Sequence, residues 1–139
     1  MNLFTVEQAL LDYLRIQPPT LPVAWPNSIY SPEEGTSYLA PRFLPNRSDY
    51  ASVGSNSPKR HRGLFQVTVH GVLGNGIADA GIADQIGAYF TGKLISFEGA
   101  RVRIGSFDGS PGLPYRTAAI RDGSWNLTPV TIPWWSDEF

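Results

Sequence analysis

One short run of basic residues stands out in a chain whose formal net charge is −1. It follows a segment rich in Ser, Asn and Gly, and it consists of Lys59, Arg60, His61 and Arg62. Ammonium and guanidinium groups bind phosphates and carboxylates, so the run suggests a nucleic acid, a phosphate ligand or an acidic protein surface as its partner. The alternative is that these residues form the solvated base of a loop.

Nucleic acid is a weak candidate, because about four charges are few for backbone binding through counterion release and the whole chain is slightly acidic. Four other arginines would enlarge the basic surface if their strands lie beside the run: Arg101, Arg103, Arg116 and Arg121. A contact with an acidic neighbouring subunit and a weak contact with passing DNA remain open.

Two glycine-rich segments resemble nucleotide-binding motifs but fail in their context. GAYFTGK, residues 87–93, matches the spacing of a P-loop, yet Leu94 follows where Ser or Thr is needed, and a helix rather than a strand precedes it. We therefore expect Gly92 to end that helix in a left-handed conformation. In GNGIADAG, residues 74–81, Asp79 occupies the third glycine position of a dinucleotide motif, where a carboxylate would repel a pyrophosphate.

The sequence offers little for catalysis or metal binding. It has no cysteine, and its two histidines, His61 and His70, have no second ligand at helical spacing. Asp79 and Asp84 would be separated by roughly 140° around a helix, so they do not form a carboxylate pair. Nothing in these residues argues for an enzyme or for a metal site, and they do not by themselves exclude an enzyme.

The composition suits one folded domain with many loops, spanning residues 1–139. Charged residues make up only 17%, and the chain contains 14 Gly and 12 Pro. Apolar residues recurring every three or four positions predict helices over Thr5–Ile16 and Ile77–Phe90. Thr5 and Gln8 have the spacing of a capping box at the first helix start.

Alternating apolar residues predict the strands. The clearest is Phe65–Gly71, in which Phe65, Val67 and Val69 should face the core. Further strands are expected at Leu21–Trp25, Tyr38–Pro45 and Arg101–Ile104, and a hairpin joins Tyr115–Arg121 to Ser124–Trp135 through Asp122-Gly123. Residues 46–62 are rich in turn-forming residues and lack the periodicity of a core element, which predicts a long flexible loop. The expected fold class is α+β, a mostly antiparallel sheet with two helices packed on it.

The segment from Tyr38 to Phe90 resembles the phage tail terminator-like proteins. Its matching parts are LPNR (Leu44–Arg47), RGLFQV (Arg62–Val67) and the Gly/Ala-rich helix with its aromatic end (Ala78–Gly92). The closing segment LTPVTIPWW, Leu127–Trp135, is similar to the last strand of that family.

The resemblance implies a structural protein of the virion tail, assembled in the host cytoplasm, that is not an enzyme and uses no cofactor or metal. It would form a hexameric ring that caps the tail tube, ends tail polymerisation and provides the surface for head–tail joining. The implied partners are other copies of the chain, the tail tube protein and the head–tail connector protein, and genomic DNA could pass through the ring without specific binding. The alternatives are another neck or tail component, such as a head-completion or tail-tube subunit, and a small DNA-binding module.

Seven residues are candidates for contacts with other subunits or with the tube: Arg47, Lys59, Arg60, His61, Arg62, Trp134 and Trp135. Arginine and tryptophan are enriched at the energetically important centres of interfaces. Either tryptophan could instead close the core of the subunit.

Overall fold

The computed structural model describes residues 3–16, 21–26, 31, 36–50, 59–74, 76–104 and 112–138. These residues form two helices and seven strands, which confirms the expected α+β class. The helices are α1 (Leu3–Arg15) and α2 (Gly76–Phe90). The strands are β1 (Tyr38–Tyr50), β2 (Lys59–Val72), β3 (Leu94–Phe97), β4 (Ala100–Ile104), β5 (Tyr115–Arg116), β6 (Ile120–Asp122) and β7 (Trp125–Glu138).

All seven strands belong to one antiparallel sheet with the order β1-β2-β7-β4-β3. β7 pairs with β2 along one edge over the whole of both strands. Its other edge pairs with β6, then β5, then β4. Pro129 lies between the residues of β7 that pair with β6 and those that pair with β5, and Pro133 lies between those that pair with β5 and those that pair with β4. Proline has no amide hydrogen, and at these two positions none is needed for pairing along this edge.

Both helices pack on one face of this sheet. Phe65, Val67 and Val69 are fully buried there, as the alternation predicts. The buried apolar cluster consists of Val6, Ala9, Leu10 and Leu14 of α1, Leu39 of β1, Phe65, Val67 and Val69 of β2, Ala83, Ile86 and Phe90 of α2, Ile95 of β3, Val102 and Ile104 of β4, and Val130, Ile132 and Trp134 of β7. No helix in the described part of the chain is long and apolar enough to span a membrane.

Two tyrosines join the helices to each other. The Tyr13 hydroxyl donates to the Tyr89 carbonyl at 3.0 Å, and the Tyr89 hydroxyl donates to the Tyr13 carbonyl at 2.7 Å. Their rings stack with centroids 4.2 Å apart. Burial is the largest cause that raises the pKa of Tyr89 to about 12. The pair therefore holds α1 against α2 through two hydrogen bonds and a ring contact.

Several expected boundaries differ from those observed. α1 begins at Leu3, so Thr5 lies inside its first turn and the capping box with Gln8 is wrong. Asp122 pairs with Trp125, which makes Gly123 and Ser124 the two loop residues of the hairpin rather than Asp122-Gly123. Gly123 has a φ of 60°, and Gly92 after α2 has a φ of 68°, as expected for the end of that helix.

Both ends of the loop predicted over residues 46–62 are strand in the structure. β1 continues to Tyr50 and β2 begins at Lys59, while residues 51–58 lie outside the described part. The ladder is irregular between Pro45 and Arg47, and it resumes there with Arg47 opposite Arg62. A bulge of this kind shifts the alternation of buried and exposed side chains by one residue. A strand that continues past the bulge is therefore not recognised from its sequence pattern. The segment at 21–26 contributes only a parallel bridge from Val23 to Leu39.

α2 is fixed on the sheet by a buried carboxylate. Asp79 lies in the first turn of α2, is 1% exposed, and sits against Gly71 of β2. A Cβ atom at position 71 would overlap this carboxylate, so only glycine leaves room for it. The side chain of Asn126, which lies opposite Gly71 in the ladder, hydrogen-bonds the Asp79 carboxylate. The Oδ2 atom of Asp79 has no hydrogen-bond partner among the described residues. Burial is the largest cause that raises the pKa of Asp79 above its usual range.

We expect Asp79→Asn to be at least as stable as the wild type near neutral pH. The folded protein binds the Asp79 proton more tightly than the unfolded chain does, so the wild type loses stability as pH rises from the ordinary carboxyl pKa of about 4 to the raised folded value. The amide keeps an acceptor oxygen for Asn126 and carries no charge to desolvate. Urea unfolding at several pH values should show the advantage of the variant shrinking on acidification, and an advantage that grows would contradict this account.

Candidate functional site

The strand alternation gathers charged and aromatic residues at one end of the sheet, on the face opposite α1 and α2. We call it the helix-free face, because neither of the described helices packs on it. In β2, Phe65 and Val67 point toward the helices, so Arg60 and Arg62 point away from them. In the ladder Arg60 lies opposite Asp137 of β7, and Arg62 lies opposite Trp135. Arg103 of β4 is opposite Trp135 on the other side. Trp135 is therefore flanked by an arginine from each neighbouring strand.

The contacts around Trp135 are specific. Arg60 Nε lies 2.8 Å from Asp137 Oδ1, and its second nitrogen lies 3.0 Å from Oδ2, which is a two-point pair. The Arg60 guanidinium also lies over the Trp135 ring, 4.1 Å from the ring centroid, and that of Arg103 lies 5.3 Å from it. Asp137 thus fixes one guanidinium on the indole, and both cations gain from the electron-rich ring face.

Beside these residues is a groove of about 440 Å³ lined by Gly99, Arg101, Arg103, Trp135 and Asp137. Arg101 and Arg103 are exposed, and within the described part of the chain neither forms an ion pair. We call Arg60, Arg62, Arg101, Arg103, Trp135 and Asp137 the arginine surface. Among the side chains that the structure describes here, four guanidinium groups accompany one carboxylate, so this surface is positive on a chain that is slightly acidic as a whole.

The structure divides the basic run of the sequence between the two faces of the sheet. Lys59 is exposed at the strand end, while His61 points to the helix side and is 7% exposed. His61 Nδ1 lies 2.6 Å from Ser48 Oγ. Arg47 lies opposite Arg62 in the ladder, and its side chain is outside the described part. The run is thus four residues of a strand, whose side chains alternate, and not one continuous basic patch.

The two adjacent tryptophans also separate. Trp134 is fully buried, stacks on Phe43 at 5.3 Å, and lies close enough to Gly63 that a Cβ there would come within 2.8 Å of its ring. It closes the core of the subunit, which was one of the two possibilities left open by the sequence. Trp135 has the opposite orientation and belongs to the arginine surface.

Only two of the four additional arginines reach the basic run. Arg101 and Arg103 do so because β4 pairs with the end of β7. Arg116 instead pairs with Asp84 of α2 at 2.9 Å, and Arg121 lies near the opposite end of β7, opposite Asn126. Sequence reasoning missed Asp137. The signal was available, since Trp135 and Asp137 continue the same alternation, but the strand was expected to end at Trp135.

The far end of the helix-free face is aromatic. Tyr38 stacks on His70 with centroids 4.5 Å apart and meets the edge of Trp125 at 5.3 Å. Burial is the largest cause that lowers the pKa of His70, so this imidazole is held toward its neutral form. The described residues include no group of three or more His, Cys, Asp or Glu side chains arranged to bind a metal ion.

Comparison with known proteins relates this geometry to a family. The family model described as phage tail terminator protein matches residues 5–134, which is nearly the whole chain. The chain belongs to the phage tail terminator family. As a tail terminator it is a structural tail protein and a component of the virion tail, in a family of structural proteins rather than enzymes.

A solved structure shares the tail terminator's fold at 22% sequence identity, with a TM-score of 0.67 over 98% of this chain and 92% of the other. No curated protein matches the chain. The likeness to the solved structure concerns the fold alone.

The pair of Arg60 and Asp137 should contribute measurably to the stability of this tail terminator. We expect a double-mutant cycle with Arg60→Ala and Asp137→Ala to give a coupling of about 1–2 kcal/mol, because the pair is two-pronged and its side chains are only 24% and 19% exposed. The matched control is Arg15 with Asp12 on α1, exposed by 62% and 49%, for which about 0.5 kcal/mol or less is expected. Urea unfolding of the variants measures both, and equal couplings would contradict the proposed difference.

Proposed function

We propose that this tail terminator caps the tail tube as an oligomeric ring, ends tail polymerisation and provides the surface for head–tail joining. The observation that carries the proposal is the family match, which spans residues 5–134 and so includes α2, β1 to β6, all but the first two residues of α1 and all but the last four residues of β7. The proposed partners are other copies of the chain in a hexamer, the tail tube protein and the head–tail connector protein. Genomic DNA would pass through the ring without specific binding, and assembly would take place in the host cytoplasm.

The arginine surface supports this proposal. A closed ring is built from heterologous contacts, so each subunit needs two different patches that complement each other or a partner. The surface is fixed on three paired strands, so little ordering is needed when it binds. Its composition of arginine and tryptophan is typical of the centres of protein interfaces. Trp135 with the neighbouring basic residues is therefore proposed to contact a subunit or the tube, whereas Trp134 supports that surface from within the core.

Ring formation and capping are tested directly on the purified protein. We expect size-exclusion chromatography with light scattering to give a closed oligomer, alone or in the presence of tail tubes, and electron micrographs to show it at tube ends. Long tubes formed by the protein alone would point to a tube subunit instead. A monomer that ignores tube ends but binds duplex DNA at physiological salt would overturn the proposal in favour of a DNA-binding module.

Reversing charge at the strand end should weaken assembly without unfolding the subunit. We choose Lys59→Glu with Arg62→Glu, because Arg60→Glu would place a second carboxylate against Asp137. The new glutamates would face the carboxylates of an acidic partner surface. Such like-charge contacts should reduce ring formation or tube-end binding at least about tenfold. Arg121→Glu, an exposed arginine near the opposite end of β7, is the control. Thermal unfolding should confirm that both proteins are folded, and unchanged assembly of the double variant would exclude these residues from the interface.

A further inference from the structure

We propose that the groove beside Trp135 binds an extended acidic segment of another tail protein. Two alternate carboxylates of that segment would pair with Arg101 and Arg103, and an intervening side chain would pack near the Trp135 ring. That the partner is a tail protein follows from the proposed function, on which this part of the inference rests. The groove, its charge and its spacing are properties of this chain.

The spacing of the two arginines matches an extended peptide. Arg101 and Arg103 are alternate residues of β4 and point to the same face of the sheet. Alternate side chains of a strand are roughly 7 Å apart, and so are alternate carboxylates in an extended segment. Each planar guanidinium offers a fork of N–H donors that binds a carboxylate at two points. A strand-like segment with acidic residues at alternate positions can therefore engage both arginines at once.

The groove is already ordered for such a ligand. Asp137 holds Arg60 on the Trp135 ring at 4.1 Å, so this guanidinium forms part of the wall and its charge is balanced. Arg103 lies 5.3 Å from the same ring, and within the described residues it has no carboxylate partner. Arg101 is fixed at the backbone, because the Ser136 hydroxyl donates to its carbonyl at 2.7 Å. The two arginines available to a ligand therefore stand on a rigid base.

A protein segment fits this groove better than a nucleic acid does. With Arg60 balanced by Asp137, only two guanidinium groups of the groove remain for a polyanion, too few for strong backbone binding. In contrast, arginine and tryptophan side chains are enriched at the centres of protein–protein interfaces.

The partner is more readily another protein than a second copy of this chain. Among the described residues the exposed carboxylates are scattered and do not form an acidic strand. Asp12 pairs with Arg15 and Asp84 pairs with Arg116, while Glu98 and Asp122 lie at two separate turns. These residues offer no alternate pair of carboxylates on one strand to meet Arg101 and Arg103.

A peptide titration tests the binding chemistry. The probe is an acetylated Thr-Glu-Thr-Glu-Thr amide, compared with the same peptide carrying Gln for Glu, and the readouts are the NMR signals of the Trp135 indole N–H and the Arg103 Nε–H. We expect the Glu peptide to shift both signals and the Gln peptide to leave them unchanged. Arg101→Glu with Arg103→Glu should weaken binding at least about tenfold, while Arg121→Glu should bind like the wild type. Arg101→Gln with Arg103→Gln replaces the first variant if that one fails to fold.

The outcomes separate the alternatives. Equal shifts with both peptides, or no shift with either, would overturn the proposal. Duplex DNA that shifts the same signals at lower concentration than the Glu peptide, at physiological salt, would also overturn it and assign the groove to nucleic acid.

An assembly assay identifies the partner. We expect the Arg101→Glu, Arg103→Glu protein to form the same ring as the wild type but to lose binding to tail tubes. Loss of the ring itself would show that the occupant is a second copy and would overturn the choice of partner. A wild-type protein that forms no ring would refute the proposed function, and the peptide titration would still decide whether the groove binds carboxylates.

Discussion

The pairing of β7 along both of its edges is the constraint on which the rest of the structure depends. β7 has 14 residues, and it contacts β2 on one side and three short strands on the other. Its inward side chains, among them Ile132 and Trp134, form the centre of the core. Its outward side chains at the same end, Trp135 and Asp137, form the arginine surface with the neighbouring strands. Core and candidate interface are thus the two faces of a single strand.

This arrangement explains how a small chain with few charges can carry a strongly charged surface. β2 and β4 each contribute two arginines to the same face, one pair on each side of β7. Bringing four guanidinium groups together would be repulsive if nothing separated them. Trp135 and Asp137 lie between the two pairs, and the aromatic ring and the carboxylate offset part of that repulsion. The remaining charge faces outward, where a partner with the opposite charge can use it.

The position of α2 depends on a different kind of contact. Asp79 occupies the space that a side chain at Gly71 would fill, so it keeps the beginning of α2 close to β2 and β7. Burying this carboxylate costs stability, as its raised pKa indicates. A buried polar group that fits only one arrangement of helix and sheet can instead make that arrangement specific. At the other end of α2, Tyr13 and Tyr89 join the two helices through reciprocal hydrogen bonds.

Local patterns in the sequence were sufficient to predict the two helices, the buried residues of β2 and the α+β class. Helical and strand periodicity depend only on residues that are near each other in the chain. The sequence also assigned Trp135 and the arginines of β2 to a candidate interface, and its resemblance to tail terminators agrees with the family match. The lengths of β1 and β2, the strand β3 and the division of the basic run between two faces required the sheet itself. The bulge between Pro45 and Arg47 and the register of β7 are set by partners that are distant in the chain.

The basic run at 59–62 shows where this limit lies. The sequence by itself determined that these residues are charged and adjacent, and that a strand follows them. Only the tertiary structure decided that Arg60 and Arg62 join Arg101 and Arg103 around Trp135, while His61 faces the helix side and Arg116 pairs with Asp84. The physical reason is that alternation can be read along one strand, whereas the neighbours across a sheet depend on which strands pair and in which register.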